Sequence, residues 1–146
     1  MKTIKMIDDV QELKGTCYVE VQPGNYTGEF WSQDSVYFTD EVFGLFSQVI
    51  QRYVPAYSLW GMTKITAVTW LHIIKELNEL ADFLGTYPAI EDIEKRITFV
   101  YEEENKKDFM LNQKEITAQV IDTIQSFVAW VKQTCQTHSS MTILGV

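Results

Sequence analysis

Apolar residues recur at spacings of three and four over most of this chain, which is the signature of helices that bury one face. The clearest run is Val42, Leu45, Phe46, Val49, Ile50 and Tyr53. Thr39 stands before it as an N-cap, Asp40 and Glu41 suit the positive end of the helix dipole, and Pro55 ends it. A second run predicts a helix from about Thr63 to Leu84, stopped by Gly85 and Pro88. Its stripe of Ala67, Trp70, Leu71, Ile74, Leu77, Ala81 and Leu84 is widened by Val68, Ile73, Leu80 and Phe83, as a helix packed on two sides requires.

Two further helices follow from the same spacing. Ile90, Ile93, Ile97, Val100 and Tyr101 predict one between Ala89 and Leu111, with a strand over Ile97–Tyr101 as the competing reading. The other starts behind Asn112, with Glu115 placed for a capping box, turns Ile116, Val120, Ile124, Phe127 and Val131 inward, and ends near Gln136. Alternation in Cys17–Val21, a turn signal at Pro23-Gly24-Asn25 and the segment Tyr26–Trp31 predict a short hairpin or an extended loop. The apolar end, Met141 to Val146, reads as a docked tail or a short edge strand. The fold expected is therefore mainly α: about four helices around the second as the central one, in a single domain over residues 1–146, with α+β as the alternative.

A hydrophobic content of 46% over 146 residues is enough to build such a core without a disulfide or a metal. Cys17 and Cys135 lie far apart without paired-cysteine spacing, so both are read as reduced and buried. The N-terminal residues carry acids by position 8 and no long apolar stretch, and the longest apolar runs fall short of a membrane span. A cytoplasmic protein with no membrane association is expected. Twenty acidic residues against 12 basic ones make the net charge −8. Phosphate backbones require clustered Lys and Arg, so the balance argues against nucleic acid and for a basic partner.

No reaction machinery is legible. There is no nucleophile elbow and no glycine-rich phosphate loop, and His72 with Glu76 supplies only two metal ligands on one helix face. The reading is of a chain that is not an enzyme, with no catalytic residue, metal or cofactor. What remains is surface. Trp31, Asp34, Tyr37, Asp40 and Glu41 mix rings with carboxylates near the first helix, and Glu91, Glu94 and Glu102 belong to an acid-rich third segment. Rings supply buried area at little entropic cost, while carboxylates steer encounter with a basic surface.

In this character, and in the stretch Phe30-Trp31-Ser32-Gln33-Asp34-Ser35-Val36-Tyr37-Phe38-Thr39-Asp40, the chain resembles the immunity proteins that bacteria pair with secreted polymorphic or contact-dependent toxins. That family has many unrelated folds, so the resemblance implies a mechanism rather than an architecture: binding a cognate basic toxin domain, often a nuclease, and occluding its active site or substrate surface. Charge reversal at Asp40 and Glu41 is then expected to slow association without moving the melting temperature. The alternative is a regulatory or adaptor domain with a small apolar ligand beside Tyr57, Trp60 and Trp70.

Overall fold

In the computed structural model, which describes residues 1 and 3–146, helices take up 48% of the chain and strands 14%. This is an α+β protein and not a mainly α bundle: a four-stranded antiparallel sheet in the order β2-β1-β4-β3 carries the helices. The strands are β1 (Tyr18–Pro23), β2 (Val36–Thr39), β3 (Met62–Thr66) and β4 (Ser140–Leu144). Between β2 and β3 come the short helices α1 (Asp40–Gly44) and α2 (Ser47–Tyr53); between β3 and β4 come α3 (Ala67–Leu84), α4 (Ile90–Ile93), α5 (Glu102–Leu111) and α6 (Gln113–Cys135).

The sheet is where the sequence expectation fails, and each strand fails it for its own reason. β1 does alternate, but its antiparallel partner is β2, with Glu20 opposite Tyr37 and Val21 opposite Val36, so residues 24–35 form a long connection in place of the second arm of a hairpin. β3 occupies the start of the expected second helix, because Thr63, Ile65 and Thr66 favour extended backbone, and the helix begins only after Thr66, whose hydroxyl accepts from the Thr69 amide. The C-terminal segment is no edge strand. It pairs with both β1 and β3, with Ile143 beside Val21 on one side and Thr63 on the other.

The helical expectations survive in part. Thr39 caps α1 through the Val42 amide, but the first helix breaks at Leu45–Phe46 before α2. The third becomes α4 and α5 joined by an irregular link, so Ile97–Tyr101 is neither helix nor strand. The last starts after Asn112 as expected but without the cap: the Asn112 amide donates to Asp108 instead.

One sheet face carries Val19, Val21, Phe38, Ile65, Met141 and Ile143 into a cluster that also takes Phe43, Phe46, Trp70, Leu77 and Phe127 from the helices. Phe127 of α6 meets Phe38, Phe43 and Trp70 edge-on at centroid distances of 5.1, 6.1 and 5.8 Å. The Trp70 indole N–H, which would otherwise be stranded, donates to the Met141 carbonyl of β4 at 3.3 Å. Burying each such ring contributes about 1.5–3 kcal/mol, so the α3–α6 pair is anchored on the sheet by aromatic packing. Among the described residues no helix is long and apolar enough to cross a membrane.

Candidate functional site

The opposite sheet face is covered by a strap. In β1 the residues alternating with Val19 and Val21 are Glu20 and Gln22, both 1% exposed. Polar groups this deep must be bonded, and here the connection supplies the partners. The Glu20 carboxylate accepts from the amides of Trp31 at 2.8 Å and Ser32 at 3.1 Å, and from Gln22 Nε2 at 2.9 Å. Gln22 also donates to the Glu29 carbonyl at 2.8 Å, and Thr142 of β4 donates to Gly24. Gly24 and Gly28 turn the strap through positive φ, and Trp31 adopts φ 65°, a left-handed conformation that an L-residue takes only when its surroundings enforce it.

This arrangement fixes the fate of the first group of expected contact residues. Tyr37 is wholly buried, since it lies opposite Glu20, donates its hydroxyl to the Ser32 carbonyl and packs against the tilted Trp31 ring at 5.8 Å. Burial, with the Glu20 carboxylate beside it, pushes its pKa up to about 12. It is a strut under the strap, and its ring is not available to a partner. Asp40 is also buried, accepting from the Glu41 amide at 2.9 Å and the Tyr101 hydroxyl at 3.0 Å. Trp31 is half-buried against Tyr18 and Tyr37, while Asp34 is exposed on the strap. Glu41 is half-exposed and lies 3.8 Å from the Met1 amino group, which bonds Asp108 of α5 at 2.7 Å. The five residues therefore separate: three serve packing or the strap, and two remain at the surface in different places.

The second group converges. Lys106 of α5 bonds Glu94 at 2.6 Å, and Glu94, Glu102 and Glu91 together hold its pKa above the usual lysine value. Glu94 is half-buried and is the carboxylate paired with Lys106, while Glu91 and Glu102 stay exposed on the neighbouring helix ends. Tyr101, half exposed, stands at the start of α5 beside them, and Tyr87, Met110 and Leu111 are also exposed on this part of the chain. Sequence reasoning found the acids but assigned Tyr101 to a helix interior. The run of β-branched and aromatic residues from Ile97 to Tyr101, which disfavours helix, was the available signal.

Other candidates resolve differently. His72 is exposed and stacks on Tyr53 at 5.8 Å, while Glu76 is held by Arg52 and by the Tyr53 hydroxyl. No group of three or more metal-ligating side chains converges among the described residues. Cys17 is exposed, contrary to its apolar sequence context. Tyr57 and Trp70 are sealed in the core while Trp60 is 65% exposed, so the three rings do not share one surface. Two shallow apolar clefts of about 280 and 320 Å³ instead adjoin the strap, sharing Phe30, Leu144, Gly145 and Val146; Trp31 walls the first and Met62 the second. A cleft of about 380 Å³ beside α2 and α3 gathers Arg52, Lys95 and Arg96, but Glu76 and Glu79 answer these charges and Arg96 sits over the Phe83 ring. The chain matches no family model, no curated protein and no solved structure.

Proposed function

We propose that this chain is a neutralising binder of a basic protein, as immunity proteins are for toxin domains, and that it acts through the face formed by α4 and the start of α5. The observation that carries the reading is the Lys106–Glu94 ion pair that ties α5 to the end of α4, with Glu91 and Glu102 left exposed on these two helices and Tyr101 half-exposed at the start of α5. Lys106 answers Glu94 and Lys95 answers Asp92, which leaves the exposed Glu91 and Glu102 without an ion-pair partner among the described residues, and such carboxylates draw in a groove built for phosphates. The half-exposed Tyr101 ring, fixed by its hydroxyl bond to Asp40, supplies apolar contact area at the start of α5. Inhibition on this reading needs no chemistry: the face covers the partner's active site or its substrate surface.

The test uses the C-terminal domain of a large secreted protein encoded beside this chain's gene, expressed with and without the chain. Rescue of growth by the wild-type chain is expected. The combined variant Glu91→Lys, Glu94→Lys, Glu102→Lys is expected to associate at least about tenfold more slowly at low salt with an unchanged fold. An unchanged association rate in that variant overturns the assignment of this face, and failure of the wild-type chain to bind or rescue overturns the function.

A further inference from the structure

The two edges of the sheet are not alike. At the β2 edge, Ile7 exchanges hydrogen bonds with Tyr37, N–H to carbonyl in both directions at 2.8 Å, so the N-terminal segment closes it. At β3 no such bridge forms among the described residues. The register pairs Thr63 with Ile143 and Ile65 with Met141, and the ladder is bracketed by the Gly145 amide donating to Gly61 and the Ala67 amide donating to Ser139. In an antiparallel ladder alternate residues turn their peptide groups to the neighbour. Gly61, Thr63, Ile65 and Ala67 therefore face β4, and the N–H and C=O of Met62 and Lys64 point away from the sheet.

The side chains around this edge are apolar and uncovered. Trp60 is 65% exposed and Met62 60%, and on the first turns of α3 Val68 is 68% and Leu71 49% exposed, although helical spacing assigns both to the buried stripe. The apolar cleft walled by Tyr26, Phe30 and Met62 opens on the same sheet face. Lys64, exposed, is the charged residue of the strand.

We infer that the β3 edge receives an extended segment of another protein, which adds a fifth strand to the four-stranded sheet and sets a carboxylate opposite Lys64. Charge selects this occupant over a second copy of the chain. Two copies paired antiparallel about Lys64 would place lysine against lysine, and each carries a net charge of −8. A foreign strand with an acidic residue at that position replaces the lysine pair with an opposite-charge pair and does not bring a second charge of −8 with it. The inference does not depend on the acidic face of α4 and α5.

Amide hydrogen exchange with short capped peptides tests it. The probes alternate Val and Thr and carry either Glu or Lys at the centre. In the free protein the Met62 and Lys64 amides exchange rapidly while Thr63 and Ile65 are protected. The Glu peptide protects Met62 and Lys64, binding about threefold to tenfold more tightly than the Lys peptide. Lys64→Glu reverses that preference, which keeps the test valid should other variants fold poorly. Lys64→Pro removes an outward N–H that the sheet does not use, and abolishes protection with little loss of β-structure. Absence of protection by either peptide at millimolar concentration overturns the inference, as does prior protection in the free monomer. Concentration-dependent dimerisation that protects the same amides assigns the edge to a second copy and overturns it too.

Discussion

Replacing Glu20 by alanine should detach the strap without unfolding the sheet. The carboxylate is buried and accepts three hydrogen bonds, two from the Trp31 and Ser32 amides and one from Gln22. Bonds to a charged acceptor contribute about 1.5–3 kcal/mol each, so a strap that stayed in place over three orphaned donors would lose upwards of ~4 kcal/mol. The strap has a cheaper course. Its amides can swing out and hydrate, which holds the net cost to about 2–4 kcal/mol. Glu20→Gln keeps the shape but presents an amide N–H to backbone N–H donors, and should lose about half as much. Urea unfolding measures the total, and hydrogen exchange locates it. The Trp31 and Ser32 amides should lose protection while the β1–β4 ladder keeps it. A loss below ~0.5 kcal/mol in both variants, with strap protection intact, would refute the claim that this carboxylate holds the connection on the sheet.

Other consequences follow from the same geometry. The neutral phenol of Tyr37 is favoured by burial, so its contribution to stability is full below the ordinary tyrosine value of 10.0 and is lost as pH rises toward about 12; Tyr37→Phe should flatten alkaline unfolding over that window, and absorbance titration should show one fewer late tyrosine in the variant than in the wild type, where burial also raises Tyr57. Asp40→Lys should lower stability by about 1–3 kcal/mol in thermal melts, contrary to the neutral effect expected of a free surface acid, because it strands the Tyr101 hydroxyl and the Glu41 amide. Gly44→Ala drives its methyl group into the Val100 side chain and should cost about 1–3 kcal/mol, with Val100→Ala in the same chain restoring most of the loss.

Much of the helical half of the molecule could be read locally. Thr39 caps where its hydroxyl and the following acids predict it, and the α3 and α6 stripes bury Trp70, Leu77, Val120 and Phe127 as their spacing requires. These features depend on neighbours three or four residues away. The acids Glu91, Glu94 and Glu102 were equally visible as residues, but the pairing of Glu94 with Lys106 was not, since it depends on how the end of α4 meets α5. The misplacement of Tyr37 and Asp40 has the same origin: a ring or carboxylate near a turn reads as surface until a segment from elsewhere covers it.

By itself, then, the chain determines a charge that disfavours phosphate backbones, a core large enough to stand without cross-links, and the main helical faces, because composition and short-range periodicity act wherever the chain goes. Tertiary structure alone decides that Met141 and Ile143 fill an interior strand, that Glu20 is the buried anchor of a strap, and that one sheet edge is closed by Ile7 while the other is left open. Strand pairing joins backbone groups from distant parts of the sequence, and no local pattern records which partner an N–H will meet.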